Sequence, residues 1–109
     1  MEKVSLADKF AAFSDFWSPK IVGEVNDLHV KIAKFKGEFV WHQHDEADEL
    51  FLVIKGTLRI RLRSREVTVG EGEFFIVPKG VEHLPVADDE CHVLLLEPKG
   101  VVNTGNVVN

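Results

Sequence analysis

Apolar and polar positions alternate along the chain, and the period of the alternation changes once, near the N-terminus. In the segment SLADKFAAFSDFW, apolar side chains recur at helical spacing on one face. They are Leu6, Phe10, Phe13 and Trp17. Ser5 and Asp8 fit a helix-capping pair, and Pro19 predicts the end of the helix. A helix of two to three turns is marginal alone, so we expect its apolar face to dock on the barrel or on a second subunit.

After Pro19 the chain consists of short apolar stretches divided by Gly, Pro, Asn and Asp, which is typical of strands and turns. The predicted strands are KIVGEV, LHVKIAKF, EFVWHQH, ELFLVI, TLRIRLR, EVTV, FFIVP, HLPVA and CHVLLLEP. In TLRIRLR the leucines and isoleucine face one side and the arginines face the other. About eight short strands of this kind predict an all-β fold, either a closed antiparallel barrel or a jelly roll.

One predicted strand breaks the alternation. In LFLVI, residues 50–54, both faces of the strand are apolar, so both faces need to be covered. The barrel interior covers one, and a helix, another sheet or a partner covers the other. Together with the aromatic helix face, this strand predicts a homodimer.

Composition and charge limit the classes of function. The chain has 109 residues, 45% of them hydrophobic and 28% charged, which fits one soluble globular domain. The net charge of −5, without a Lys/Arg stripe among aromatic residues, argues against nucleic acid as a partner. A lone cysteine, Cys91, rules out an internal disulfide and fits a reducing compartment. No run approaches the roughly 18 apolar residues of a membrane span, and the N-terminus lacks the apolar core of a signal peptide. We expect a cytoplasmic protein that does not enter membranes.

Candidate chemistry is concentrated in the stretch EFVWHQHDEADEL. Because residues i and i+2 of a strand face the same side, His42 and His44 present two imidazoles to one face, a natural pair of ligands for a divalent transition metal. Either of two carboxylates, Glu49 or Glu46, can follow on the antiparallel return. The spacing alone leaves both open.

A third histidine, His83, follows the turn formed by Pro78 and Gly80. If it points inward, three histidines and one glutamate supply nitrogen and oxygen donors for a six-coordinate metal with two positions for water or substrate. Such donors disfavour Ca²⁺ and leave Fe(II), Mn(II), Ni(II), Zn(II) and Co(II) as candidates.

At these residues the sequence resembles the cupin family of small β-barrels, which two motifs define. The first, G-x5-H-x-H-x(3,4)-E-x6-G, matches the stretch from Gly37 to Gly56, with an opening spacer of four residues where the family has five. The second, G-x5-P-x-G-x2-H-x3-N, matches from Gly72 to Ala87, where Ala87 replaces the closing Asn. In the family that position is not a metal ligand.

The resemblance implies a cupin-type jelly-roll β-barrel of about eight or more short antiparallel strands, with one short N-terminal helix. It divides the chain into a helical segment at residues 1–18, the barrel at 19–98 and a C-terminal tail at 99–109. It also implies one divalent transition metal and decides in favour of Glu49 over Glu46. The implied metal ligands are His42, His44, Glu49 and His83.

The family implies a range of reactions: small single-domain cupins include oxygenases, isomerases and lyases. By alternation, the inward positions beside the ligands are apolar. They are Val40, Phe51, Val53, Leu58, Ile60 and Leu62, with residues of FFIV. No Arg or Lys is placed inside by the pattern, so phosphosugar substrates fit poorly. We expect catalysis on the metal, acting on a small, partly apolar molecule, with Glu49 as a proton acceptor if it leaves the metal. The alternative is a metal-containing ligand-binding or sensing module without turnover.

The remaining histidines, acids and the cysteine receive structural interpretations. We expect His29 on a solvated strand face, His92 as a buried or interfacial histidine, and Cys91 in the core. The acidic residues Asp45, Glu46 and Asp48 are expected to form a solvated loop.

Overall fold

The computed structural model describes residues 1–101 and 105–108 of the chain. A single short helix, α1 (Leu6–Ala11), precedes the strands in this part of the chain. The strands are β1 (Lys20–Val25), β2 (Leu28–Glu38), β3 (His42–Gln43), β4 (Glu49–Lys55), β5 (Leu58–Leu62), β6 (Glu66–Val69), β7 (Phe74–Val77), β8 (His83–Pro98) and β9 (Asn106–Val107). All strand pairs are antiparallel. The mostly β architecture with one short helix confirms the predicted fold class.

The long strand β8 organises the sheet, because four other strands pair with it. Its C-terminal half pairs with β2 on one edge and with β4 on the other, and β1 and β7 extend these edges. Its N-terminal residues pair with β5 and with β3, which β6 and β9 extend in turn. The two groups of strands pack on one hydrophobic core in a jelly-roll arrangement. Among the described residues, the hydrogen-bonded order forms an open path rather than a closed ring.

Two predicted strands, HLPVA and CHVLLLEP, are a single strand in the structure. The polar residues Asp88, Asp89 and Glu90 between them are exposed, and the pattern there is typical of a turn. The strand nevertheless runs through them, because the pairing with β2 continues on both sides of a bulge between Phe35 and Gly37. This continuity carries β8 from one group of strands into the other.

The N-terminal helix is shorter than the sequence pattern predicted. Ser5 caps it as expected, because its hydroxyl accepts a hydrogen bond from the Asp8 backbone N–H at 3.3 Å, but α1 ends at Ala11. Phe10 is buried and stacks on the His92 ring, with centroids 4.5 Å apart. Trp17 leaves the helical pattern with a φ of 59° and packs instead on the core, between Phe35 and Phe39. The predicted apolar helix face is therefore divided between the outer and inner sides of the sheet.

The core is formed by the inward positions of both groups of strands. Its buried members include Phe51 and Val53 of β4 and Leu58 and Ile60 of β5, as the alternation predicted. Cys91 is fully buried in the same cluster, which confirms its predicted place. No helix among the described residues is long and apolar enough to cross a membrane.

Candidate metal centre

The two cupin-like motifs meet in the pairing of β3 with β8. His42 opens β3 and His83 opens β8, and the two residues are direct partners in the antiparallel register. Their ring centroids are 4.2 Å apart, and both side chains are buried. Cross-strand partners have adjacent Cβ atoms, so this pairing places the two imidazoles side by side within the fold.

Backbone carbonyls fix the orientation of both rings. The Nδ1 atom of His42 lies 2.9 Å from the carbonyl oxygen of Val40, and that of His83 lies 2.9 Å from the carbonyl oxygen of Val81. Because a carbonyl oxygen only accepts hydrogen bonds, each Nδ1 carries the proton and donates it. In the neutral rings, Nε2 is then an unprotonated lone-pair donor directed away from the backbone, the arrangement typical of metal-binding histidines.

The turn at Gly80 connects His44, the remaining histidine of the group, to the strand that carries His83. Gly80 has a φ of 78°, a left-handed conformation that glycine adopts without steric cost. Its N–H donates to the carbonyl oxygen of His44 at 2.8 Å. The turn of the second motif is thereby joined to the histidine segment of the first, although His44 lies outside β3 and is held by the loop that follows.

Glu49 opens β4 and completes the group. Its Oε1 lies 3.3 Å from Nε2 of His44 and 3.5 Å from Nε2 of His83. The four buried residues His42, His44, Glu49 and His83 each offer one ligand atom, and these atoms all lie within 4.8 Å of one another. Glu46, the other candidate carboxylate, is exposed.

Several of the converging atoms have no other partner. Nε2 of His44, Nε2 of His83 and Oε1 of Glu49 are buried and make no hydrogen bond to any described residue. Burying polar atoms without partners costs free energy. A metal ion bound by these nitrogen and oxygen atoms removes that cost, so the residues present fit a divalent transition metal.

The electrostatics of the group favour the metal-binding forms of His42 and Glu49, which are the neutral imidazole and the carboxylate. Burial lowers the pKa of His42 to about 4, so its ring is neutral near pH 7. Burial opposes ionisation of Glu49, but interactions with His44 and His83 outweigh it and hold the pKa of Glu49 below its ordinary value. Burial also opposes protonation of His44, yet the adjacent Glu49 carboxylate raises the pKa of His44.

An aromatic pocket lies beside the group. Its walls and base are Trp17, Phe35, Phe39, His42, Glu49, Phe51, Pro85 and Leu95. Its cavity volume is about 10 Å³, which is room for about one water molecule. Trp17 narrows the pocket: its ring stacks on Phe35 at 4.3 Å and on Phe39 at 4.9 Å. Of the predicted lining residues, Phe51 is present, whereas Val40 is 37% exposed, because β3 begins only at His42 and the strand alternation does not reach back to it.

The histidines outside the motifs lie away from the group. His92 is half-buried beneath Phe10, and its Nε2 lies 2.6 Å from a carboxylate oxygen of Glu90, as expected of a histidine with a structural role. His29 was expected to be solvated but is half-buried, with Nε2 3.5 Å from Glu24. Asp45, Glu46 and Asp48 are exposed, which confirms the solvated acidic loop.

Two features of the site were not predicted from the sequence. Trp17 was assigned to a helix, and its entry into the pocket depends on a loop conformation that side-chain periodicity does not reveal. Lys31 and Glu97 are buried inside the fold, 9% and 3% exposed, although the sequence pattern placed no Arg or Lys inside and Glu97 was not singled out. The only available signal was strand alternation, since Lys31 shares a face with Ala33 and Phe35.

Comparisons with known proteins agree with this fold. The chain is 45% identical to a cupin-2 domain-containing protein from Shewanella frigidimarina, with a TM-score of 0.87 over 88% of this chain and 94% of that one. Protein NMB1881 from Neisseria meningitidis is 27% identical, with a TM-score of 0.83 over 90% of this chain and all of that one. YdbB of Bacillus subtilis is 41% identical over 63 residues, 57% of this chain and 56% of YdbB. The chain therefore spans little more than half the length of that relative.

The family model for the cupin domain matches residues 28–97, which hold all four residues of the buried group. This match covers more than half of the chain, and the cupin-2 domain-containing protein from Shewanella frigidimarina aligns with it over 94% of its own length. The chain belongs to the cupin family.

Proposed function

We propose that this protein is a metal-dependent enzyme of the oxygenase type that acts on a small, partly apolar molecule. The observation that carries the proposal is the aromatic pocket, because His42 and Glu49 of the metal-binding group form part of its wall. A molecule that displaces Trp17 from this pocket lies against aromatic rings and within reach of the group at the same time. Isomerase and lyase chemistry use the same arrangement and remain within the proposal.

The roles of the residues follow from their chemistry. We assign His42, His44, Glu49 and His83 as ligands of one divalent transition metal, with Fe(II), Mn(II), Ni(II), Zn(II) and Co(II) as the candidates that nitrogen and oxygen donors favour. Such a metal supplies a Lewis acid or a centre that binds O₂. The three imidazoles would hold and orient it, and Glu49, the one carboxylate among the proposed ligands, would accept a substrate proton once it leaves the metal.

The pocket selects against strongly anionic substrates. Its wall residues are mainly aromatic and aliphatic, and no Arg or Lys is among them. Lys31 is the one buried cation of the described chain, and its ammonium group is already paired with Glu97 at 2.8 Å. A phosphate group needs charge-assisted donors that this pocket lacks, so an apolar ring or a thiol is the better substrate class.

A second candidate is a metal-containing module that binds or senses a small ligand without turnover. The lining of the aromatic pocket favours it, because His42 and Glu49 of the metal-binding group are its only titratable side chains and no further acid or base of the described chain lines it. The two candidates predict the same metal content and differ in whether a reaction follows binding.

One experiment separates the candidates. The protein as purified is analysed for metal, loaded with Fe(II), and tested in an oxygen electrode with catechols, thiols and diketones. We expect substrate-dependent O₂ uptake that His44→Ala abolishes and His29→Ala leaves intact, since His29 lies outside the group. Uptake at background for every compound, with metal still bound, contradicts the oxygenase and favours the binding module.

We also propose that two copies of the chain associate through the outer face of the sheet. Six apolar side chains project outward from β4, β7 and β8 at adjacent register positions. They are Leu50, Leu52, Phe74, Ile76, Leu94 and Leu96, here called the outer patch. Phe74 is 60% exposed and Ile76 is 45% exposed in the single chain, and contiguous apolar surface of this kind is typical of interaction sites.

The reduced, buried Cys91 fits a cytoplasmic location.

A further inference from the structure

A lysine and a glutamate form an ion pair inside the fold, next to the metal-binding group. The Nζ atom of Lys31 lies 2.8 Å from Oε1 of Glu97, and the two side chains are 11% and 3% exposed. Lys31 also contacts the carbonyl oxygen of Val101 at 3.4 Å. In the β2–β8 register Lys31 is opposite Leu95, so Glu97, two residues further on, is its diagonal neighbour on the inward face.

An ion pair of this kind is not expected to add much to the stability of the fold. Removing two charges from water is costly, and replacing a buried ion pair by apolar residues of similar size is often neutral or stabilising. Ala33, Phe35 and Leu95 on the same inward face show that apolar side chains are accommodated here. The pair therefore points to a role in positioning its neighbouring residues rather than in stabilising the fold.

Glu97 lies next to Glu49, the proposed metal ligand. Leu50 of β4 pairs with Leu96 of β8, so the antiparallel register brings the residue before Leu50, Glu49, opposite the residue after Leu96, Glu97. Both side chains are buried, and Oε2 of Glu97 has no hydrogen-bond donor among the described residues. The Lys31 ammonium, 2.8 Å from Oε1 of Glu97, offsets the repulsion between the two carboxylates.

The pair is linked to the histidines through Glu49. Lys31 of β2 pairs with Glu97 of β8 at 2.8 Å, and Glu97 lies opposite Glu49 at the start of β4. Oε1 of Glu49 in turn lies 3.3 Å from Nε2 of His44 and 3.5 Å from Nε2 of His83. Each step joins a different strand to the metal-binding group.

We propose that Lys31 and Glu97 are positioning residues for the metal ligand Glu49. Lys31 holds the Glu97 carboxyl group, and Glu97 holds the Glu49 carboxyl group against His44 and His83, so that the pair sets the metal affinity of the site. Outer partners of this kind orient a ligand and balance its charge. The inference rests on the proposed metal centre and adds to it two residues that lie outside both cupin motifs.

The test compares variants of the full chain, freed of metal, in two measurements: the dissociation constant for Co(II), with the visible absorption spectrum of the Co(II) form, and the free energy of unfolding without metal. Glu97→Gln keeps an acceptor for Lys31 and a donor for Glu49, so we expect its Co(II) affinity within about threefold of the original. The double variant Lys31→Met/Glu97→Leu removes the pair without leaving a charge buried alone. We expect it to fold with near-original stability, to bind Co(II) about 10- to 100-fold more weakly, and to show shifted absorption bands.

The matched control is Arg59→Met/Glu66→Leu, which removes a half-exposed pair of 2.9 Å on β5 and β6, and it should leave the Co(II) affinity unchanged. A purely structural pair predicts that Lys31→Met/Glu97→Leu binds Co(II) with the original affinity and spectrum, and that result overturns the inference alone. If the unmodified chain binds no Co(II), the proposed metal centre itself is wrong and the inference falls with it.

Discussion

His42 and His83 lie directly opposite each other on adjacent antiparallel strands, with ring centroids 4.2 Å apart. They come from separate sequence motifs, and the register of β3 with β8 brings them together. Each ring is also held by a hydrogen bond to a carbonyl oxygen two residues before it. The site is consequently organised before any metal binds, because the sheet itself supplies the spacing of the two nitrogens.

Replacing His83 by Ala should remove metal binding more completely than any change outside the group. His83 is fully buried, so the variant loses one donor and leaves the other three around a cavity. We expect a fall in metal affinity that exceeds the roughly 100-fold cost of losing an outer partner. Isothermal titration of the metal-free protein with Zn(II) measures this. The matched control, His29→Ala, removes a histidine that pairs with Glu24 and lies outside the metal-binding group, and it should retain full stoichiometry; equal losses in both variants contradict the ligand assignment.

The sequence predicted the metal-binding group better than its surroundings. The resemblance to the cupin motifs implied the set His42, His44, Glu49 and His83, which the structure brings together in one buried group, whereas strand alternation alone left Glu46 and Glu49 both open. The course of β8 was missed because its exposed middle, Asp88 to Glu90, has the composition of a turn. Strand pairing is a property of two segments, and it is the partner β2 that carries β8 through this polar stretch.

The two unpredicted features depend on the tertiary structure. Trp17 is drawn out of the helical pattern because stacking on Phe35 and Phe39, with an indole N–H bond to the Lys36 carbonyl oxygen at 2.9 Å, outweighs the marginal propensity of a short helix. A charged residue at an inward position, such as Lys31, can be predicted to be buried only when its partner is known. Nothing in the local sequence of β2 identifies Glu97 as that partner.

The thiol of Cys91 should be unreactive in the folded protein. Burial raises its pKa to about 11 from an ordinary 9.0. The raised pKa alone lowers the thiolate fraction about 100-fold at pH 8. The folded state keeps a proton that the unfolded state loses between about pH 9 and pH 11, and the free energy of unfolding therefore falls as the pH rises through this window. Labelling with a disulfide reagent at pH 8, in native buffer and in denaturant, measures the first effect.

The alkaline decline has its own control. Cys91→Ala lacks the titrating group, so its stability should fall less steeply between about pH 9 and pH 11 than that of the unmodified chain. Chemical denaturation at several pH values gives both slopes. Identical slopes, or rapid labelling in native buffer, show that the thiol is more accessible than its buried position indicates.

The outer patch should hold two copies of the chain together. Phe74→Glu/Ile76→Glu places two charges on its most exposed positions, where burial against a second chain makes them costly. We expect a dimer for the unmodified chain and a monomer for this variant in light scattering after gel filtration, with metal content unchanged. Ile21→Glu, at a 57% exposed position on β1 at the other edge of the sheet, is the control and should stay dimeric. A monomeric unmodified chain, or a dimeric double variant, contradicts the proposed interface.

Trp17 should control which molecules reach the metal-binding group. Its indole lines the aromatic pocket together with His42 and Glu49, and the cavity of about 10 Å³ admits little more than water. Stability should fall by about 1–3 kcal/mol in Trp17→Ala, because the stacking and the bond to Lys36 are lost. The opened space has the shape of an aromatic ring, so larger flat ligands should gain most.

We therefore expect Trp17→Ala to change selectivity in a defined direction. Binding of catechol and of naphthalene-2,3-diol to the Co(II)-loaded protein is followed through its visible absorption spectrum, and the affinity ratio of the larger to the smaller diol should rise by about tenfold, equivalent to about 1.4 kcal/mol. Trp41→Ala is the control, because the Trp41 ring packs under Arg63 at 3.8 Å and does not line the pocket, and its ratio should stay at the original value. A ratio that is unchanged in Trp17→Ala means that the diols approach the group by another route. In that case the aromatic pocket does not determine the substrate.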